Sequence, residues 1–367
     1  MDTDEILKNR MANQLILRGK TSAKPEDVVA TLGAMQAQDY QAALWAIGMR
    51  CGNGTTKSDV EQAISDRKIT RTWLMRGTLH IASSKDIRWM LGLFGPRLRT
   101  TAIKRDANLG LSQQAIRAAE QSFYKALRGN KTLQRKEMYE IMGKARIPAS
   151  NNLGYHLLYR AAWDGLIVFG PQKGSQQTFT LLDEWVPDTK PLSADESIIE
   201  LTMRYFSSHG PATIKDYVWW SGLTVHGASL GIEKCGSRLK QENINNKTYY
   251  MPKKARRAEG SDSTYLLPAF DEYIISYSDR SAMLDNVGTQ KRLKSGKIAF
   301  AHSNGVFLPT IISDGKVIGT WKRSNSKNGI IIKTNPFVRL SNKQKSDING
   351  AADNYGRFFE SDAFIKQ

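Results

Sequence analysis

The order in which hydrophobic periods follow one another constrains this chain more than any other feature. Three times in its first two-thirds, apolar residues at helical spacing give way to short strand-like runs closed by turn residues. Asp4 to Leu17 sets Ile6, Leu7, Met11 and Leu15 on one face, and Pro25, suited to a first helical turn, leads in Val28, Val29, Leu32 and Met35. A stretch from Lys57 to Asp66 turns Val60, Ala63 and Ile64 inward. Strands are predicted at Ile69–Leu74 and Thr78–Ala82, turned at Arg76-Gly77. The second round predicts helices over 112–128, 133–145 and 151–164, then strands at Leu166–Phe169 and Gln177–Leu182 joined through Gly170-Pro171 and Gly174. The third runs 194–208, Ala212–Trp220 and Gly227–Gln241 into a strand around Thr248–Met251.

Helices followed by a hairpin give the order of a winged helix, a variant of the helix-turn-helix. From about Ser263 the pattern changes to short strands: Tyr265–Pro268, Tyr273–Tyr277, Ile298–Ala301, Val306–Ile312, Lys316–Trp321 and Gly329–Thr334. Asp314-Gly315 between two apolar runs is a strong two-residue hairpin signal. The tail from about Lys343 is helical again. The expected fold class is α+β, with tandem winged-helix units followed by a C-terminal β-rich, barrel-like domain. The expected segments are 1–110, 111–191, 192–262 and 263–367.

Charge narrows the partners. The chain carries 53 Lys+Arg against 35 Asp+Glu, a formal net charge of +18. Between Pro252 and Lys345, 17 basic residues face 7 acidic ones. A surplus of this size gathers polyanions, so nucleic acid is the expected partner, beside the plainer reading of a solvated, solubilising surface. No apolar stretch approaches the ~20 residues needed to cross a bilayer, and no long basic amphipathic helix suits a membrane surface. The N-terminus MDTDEILKNR has no apolar core of a signal peptide, so a cytoplasmic protein, nucleoid-associated when bound to DNA, is expected. Cys51 and Cys235 make neither a disulfide framework nor a zinc cluster, and the five histidines lack ligand spacing. No metal or other cofactor is expected, and a monomer with no obligatory protein partner suffices.

Two segments invite a chemical reading. Met35-Gln36-Ala37-Gln38-Asp39 falls at the C-terminal end of a predicted helix. Residues two apart do not share a face of a regular helix, but where the backbone leaves the helical path both amides can converge. Each amide offers an acceptor and donors, so a pair can hold and orient a water. Two polar residues closing a surface helix would look the same. The second segment, Arg71-Thr72-Trp73-Leu74-Met75-Arg76-Gly77-Thr78-Leu79-His80, gathers Arg71, Trp73, Arg76 and His80 around a tight hairpin. Such a set suits phosphate contacts and base stacking, and equally a wing with a packed tryptophan. A third, Trp321-Lys322-Arg323-Ser324-Asn325-Ser326-Lys327-Asn328-Gly329, reads as a basic hairpin carrying Lys322, Arg323 and Lys327.

These segments occur in a family-like order. With Leu266-Leu267-Pro268-Ala269-Phe270-Asp271-Glu272-Tyr273, Asn304-Gly305-Val306-Phe307 and Asp314-Gly315-Lys316-Val317-Ile318-Gly319-Thr320-Trp321, the chain resembles the bacterial AlkZ/YcaQ-like DNA glycosylases over nearly its whole length. The resemblance implies double-stranded DNA as the partner, excision of N7-alkylated purines and, in some members, unhooking of interstrand crosslinks. It implies that the Gln-x-Gln pair, Gln36 and Gln38 here, is catalytic. The YcaQ branch carries an acid in place of the second glutamine, so Gln38 aligns this chain with the AlkZ-like branch.

N7 alkylation puts positive charge on the purine and makes it a good leaving group. A strong general acid is then unnecessary, and the remaining task is to place water at C1′ while oxocarbenium character develops. Asp39 is a candidate proton acceptor, as is solvent. No lysine lies in the motif, so a monofunctional enzyme is expected; the resemblance further implies a basic hairpin probing the minor groove. A non-catalytic winged-helix DNA-binding protein or transcriptional regulator is the alternative, because it would show the same charge and the same hairpins.

Overall fold

A computed structural model describes residues 1–17, 23–147, 152–253, 263–284 and 307–366. The predicted strand Ile298–Ala301, the cluster from Lys291 to Lys297 and the motif residues Asn304 to Val306 lie outside them. The chain divides into two compact units: Met1–Val60 with Ile199–Gln367, and Glu61–Ile198. The four expected segments follow sequence order, whereas these two units are grouped by contacts in space. A first unit made from both ends of the chain is invisible to a pass along it.

The first unit is built on an open five-stranded sheet. Thr264–Leu267, Thr310–Ser313, Lys316–Ser326 and Gly329–Pro336 run antiparallel in that order, and Ala363–Lys366 adds a parallel edge strand. Asp314 (φ 51°) and Gly315 (φ 76°) both adopt positive φ, as a tight hairpin of primed type requires. A closed barrel is not formed among the described residues. Thr264–Leu267 and Ala363–Lys366 remain edges.

The Asn342–Phe358 helix, capped by Ser341 accepting from Gln344 N, packs on this sheet: Tyr355 lies 5.1 Å from Trp45 and 5.2 Å from Trp321, ring to ring. The two tryptophans donate to consecutive carbonyls of one strand, Trp45 Nε1 to Leu266 O at 3.0 Å and Trp321 Nε1 to Leu267 O at 2.8 Å. Those bonds let large apolar rings be buried without stranding an indole N–H. They also tie the Tyr40–Gly48 helix, which carries Trp45, to the sheet. At Gly48 an added Cβ would lie 2.0 Å from the Phe358 ring, so only glycine lets helix and ring approach so closely.

The predicted strand Tyr273–Tyr277 is instead a helical turn, Glu272–Ile275, started by Asp271 accepting from Tyr273 N at 2.9 Å. Its period was hidden because every residue from Asp271 to Tyr277 is buried. The region expected as one helix over Gly227–Gln241 is the helix Val225–Cys235 followed by a strand Leu239–Ile244, which pairs with Lys247–Pro252.

The second unit holds a sheet whose strands lie in the order Leu79–Ser83, Ile69–Trp73, Ile167–Lys173, Gln176–Leu181 and Leu133–Gln134. Helices Gln113–Leu127, Arg135–Lys144 and Asn152–Trp163 fall close to the predicted spans. The turn predicted at Arg76-Gly77 is present, with φ of 56° and 72°, and Leu74 N donates to Thr78 O at 3.1 Å across it. The 22-residue helix Ile87–Asn108, which contains Pro96, had no counterpart in the sequence reading.

Candidate active site

The Gln-x-Gln segment begins where a helix is stopped. Pro25–Leu32 ends at Gly33, whose φ of 82° reverses the chain at little cost because glycine has no Cβ. Ala34–Gln36 is then extended, and Asp39 caps the next helix, Tyr40–Gly48, by accepting from Ala42 N at 3.0 Å. The motif therefore joins a strand to the start of a helix, rather than closing a helix as the sequence suggested. Gly33 stops the helix before Met35 can join it.

Gln36 is thus the last residue of the strand, and Gln38 lies in the bend that leads into the helix. Extended backbone sends alternate side chains to opposite sides. Burial follows the alternation: Met35 is 1% and Ala37 0% exposed, whereas Gln36 is half-buried and Gln38 exposed. Met35 and Ala37 hold the segment down, while Gln36, at the end of the strand, and Gln38, in the bend that follows, keep solvent exposure. Asp39 is exposed too, with one carboxylate oxygen engaged as the helix cap.

Behind the segment lies a buried polar network that the sequence reading did not identify. The Gln36 N–H donates to Glu272 Oε1 at 2.7 Å. The other carboxylate oxygen of Glu272 accepts from Trp220 Nε1 at 3.0 Å and from the Ser276 hydroxyl at 2.6 Å. His209 Nε2 stands 3.7 Å from that oxygen, beyond hydrogen-bond range, while its Nδ1 lies 2.8 Å from Ser208 Oγ. Burial would raise the Glu272 pKa, but the neighbouring His209 imidazole and the hydrogen bonds from the Ser276 hydroxyl and the Gln36 N–H hold the carboxyl below its ordinary value. Burial pushes His209 below its ordinary value. The adjacent Asp271 forms a two-pronged pair with Arg50, 2.8 Å on each arm, with both side chains fully buried. Arg50 Nε also donates to Gln14 O at 2.8 Å. A signal for this network was present: two adjacent acids inside the apolar run Leu266–Ile275 must be buried, and buried charges need partners.

The third predicted segment is a hairpin. Lys316–Ser326 and Gly329–Pro336 pair antiparallel, and residues 322–328 are all exposed, including Lys322, Arg323 and Lys327. The Arg323 guanidinium sits 5.4 Å from the Phe359 ring centroid. In register, Lys322 faces Lys333, and Lys333 faces Lys366 on the neighbouring strand. Directly opposed like charges destabilise a sheet, so this row of three exposed lysines is best accommodated against an anion. Lys333 and Lys366 escaped the sequence reading because only strand pairing aligns them.

In the second unit the Arg71–His80 segment divides. Arg76 is exposed at the turn. Trp73 is 1% exposed among Tyr155, Tyr159, Phe169 and Phe179, with ring centroids 4.4 to 6.4 Å away, so it is a core ring rather than a stacking face. Arg71 is 3% exposed, its guanidinium 5.0 Å from the Phe169 ring, and His80 is 1% exposed with Nδ1 at 2.9 Å from Thr78 O. Strand alternation failed as a guide here because Ile69–Trp73 and Leu79–Ser83 are buried along their whole length.

Among the described residues no His, Cys, Asp or Glu group of three is placed to hold a metal, and no helix is long and apolar enough to cross a membrane.

Comparison with known proteins supplies the family. The model for DNA glycosylase AlkZ-like proteins matches residues 29–358, a span that contains Gln36, Gln38, Asp39, Glu272 and the basic hairpin. The interstrand DNA cross-link repair glycosylase of Streptomyces sahachiroi is 24% identical over 335 residues, covering 85% of each chain. The solved structure of Streptomyces sahachiroi DNA glycosylase AlkZ matches with a TM-score of 0.81 and 19% identity over the whole of both chains, a likeness of fold. By the extent of the family match, this chain belongs to the AlkZ-like DNA glycosylases.

Proposed function

We propose that this protein hydrolyses the N-glycosidic bond of N7-alkylated purines in duplex DNA, with water positioned by Gln36 and Gln38. The observation that supports the reading is that Gln36 and Gln38 keep solvent exposure on a segment whose apolar residues and Gln36 main chain are anchored. Anchoring matters because an amide pair contributes through placement. It cannot accept a proton as a strong base, but it can hold a lone pair toward C1′ with little reorganisation. The cationic purine leaves without an acid. The proton of the attacking water passes to solvent, and the Asp39 carboxylate beside the motif adds negative charge to a region where positive charge develops. Crosslinked substrates are proposed by extension from the Streptomyces sahachiroi relative, whose name specifies interstrand cross-link repair.

DNA is held by charge. Lys322, Arg323 and Lys327 on the hairpin, with Lys333 and Lys366 beside them, serve as phosphate or groove contacts, and Arg76 is a further contact from the second unit. The sets Gln113–Leu127, Arg135–Lys144, Asn152–Trp163 with its hairpin, and Ile214–Ser221, Val225–Cys235 with its hairpin, support a reading as winged-helix units. The protein is proposed to act as a monomer without metal, in the cytoplasm.

Duplex DNA with one N7-methylguanine tests the reading. Wild-type protein is expected to generate alkali-labile abasic sites, with no covalent adduct trapped by borohydride. Tight binding without release across a panel of alkylated purines would favour the regulator instead.

A further inference from the structure

Asp271 and Glu272 are neighbouring buried acids with different solutions to burial. Asp271 is neutralised by Arg50. Glu272, 2% exposed, has no Lys or Arg ion-pair partner among the described residues, and its contacts are an amide, an indole and a hydroxyl, with His209 at 3.7 Å. A buried carboxylate kept without a cation costs stability, and such arrangements cluster at functional sites. Among these contacts, one leads to the surface: the main chain of Gln36, whose side chain emerges at the proposed reaction centre.

We propose that Glu272 is a positioning residue for base excision, which fixes the Gln36 main chain and, as a carboxylate accepting three hydrogen bonds, sets negative charge behind the water-positioning pair. The proposal rests on the reading of Gln36 and Gln38 given above. It supplies what that pair lacks. Two neutral amides orient water but do little for the positive charge growing on deoxyribose, and the Asp39 charge, exposed and also engaged as a helix cap, is screened by solvent. Only a carboxylate fits the three donors. Glutamine at 272 has one acceptor oxygen and one NH2 group, so either the Gln36 N–H or the Trp220 indole N–H would face another donor.

The test compares wild type, Glu272→Gln, Ser276→Ala, Gln36→Ala and the Glu272→Gln/Gln36→Ala double variant. It measures single-turnover release of N7-methylguanine, duplex affinity and thermal stability. Glu272→Gln is expected to slow release by about 10²-fold while affinity stays within about twofold, because misplacing a reacting group acts on the chemical step. In the Gln36→Ala background the same change is expected to add less than about threefold, as for residues acting as a unit. Ser276→Ala, which leaves the Gln36 contact in place, is expected to stay within about fivefold of wild type.

Losses that multiply in the double variant, or that track falling stability and affinity, would mean a merely structural role and overturn the proposal. So would a Glu272→Gln protein as fast as wild type. A wild type that releases no base defeats the excision reading itself, and with it this role. Should Glu272→Gln not fold, glutamine-selective 15N labelling of wild type decides. The Gln36 amide proton is expected far downfield and slow to exchange, and an ordinary, fast-exchanging amide would refute the anchor.

Discussion

Asp39 separates charge from capping, and the structure sets the size of each effect. Its carboxylate accepts from Ala42 N at 3.0 Å and so starts the Tyr40–Gly48 helix. Asp39→Ala removes that acceptor, an N-cap loss of about 1 kcal/mol, and the favourable interaction of an anion with the helix N-terminus, about 0.3–1 kcal/mol more. For a unit of roughly 200 residues this corresponds to a fall in Tm of about 2–8 °C. Asp39→Asn keeps an acceptor and loses chiefly the dipole part, so its Tm is expected to drop by about 1–4 °C. Because the helix is locked by Trp45 against Tyr355 and Phe358, loosening its first turn shifts Gln38 more than it unfolds the unit.

Single-turnover excision is therefore expected within about threefold of wild type for Asp39→Asn, and about tenfold slower for Asp39→Ala, since small misplacements of reacting groups are costly. The two variants are compared by thermal melts and by base release at saturating enzyme. An Asp39→Asn protein with wild-type stability but a rate about 10²-fold or more lower would refute the reasoning, for it would show the carboxylate accepting the proton.

Alanine at Lys322, Arg323 or Lys327 is expected to leave Tm unchanged, since all three are exposed, while lowering duplex affinity and reducing the slope of log K against log salt by about 0.9 for each phosphate no longer neutralised; titration at several salt concentrations checks this. Gly315→Ala places a Cβ 2.8 Å from Leu7 Cβ and 2.9 Å from the Tyr273 hydroxyl at a φ of 76°, so a loss of more than about 1 kcal/mol is expected in denaturant unfolding. Burial, together with a hydrogen bond to Asp164, raises the Glu120 pKa to about 7. From roughly pH 4.3, the ordinary glutamate value, to that raised value the folded chain keeps a proton that the unfolded chain has released, so this group's contribution falls as pH rises across the window. Glu120→Gln should remove that component, and it raises Tm at about pH 8 relative to wild type more than at about pH 4.

Turn chemistry was the most legible layer of the sequence. Asp314-Gly315 and Arg76-Gly77 announce backbone that few other pairs adopt, and both form turns where expected. Helices with a clear polar face, such as Gln113–Leu127, were also readable. Elements buried on all sides were not. Tyr40–Gly48, whose residues from Ala43 to Gly48 are all buried, shows no period, and neither does Glu272–Ile275. The parallel strand Ala363–Lys366 depends on a partner some thirty positions earlier in the chain, and no local pattern marks it.

At the site, the identity of the glutamine pair came from the sequence, but its geometry did not, because Gly33 converts the expected helix end into an extended segment. Glu272 stood in a quoted motif without a role, since its bond to Gln36 spans 236 positions. Trp73 shows the reverse failure. An aromatic between two arginines suggests stacking on bases, yet four neighbouring rings claim it for the core.

The most direct measurement is single-turnover release of N7-methylguanine from duplex DNA by Gln36→Ala, Gln38→Ala and the double variant, with duplex affinity measured beside it. The account predicts unchanged binding, rates down by about 10²–10³-fold for each single change, and little further loss on combining them. A double variant that binds DNA normally and releases the base at the wild-type rate would contradict it.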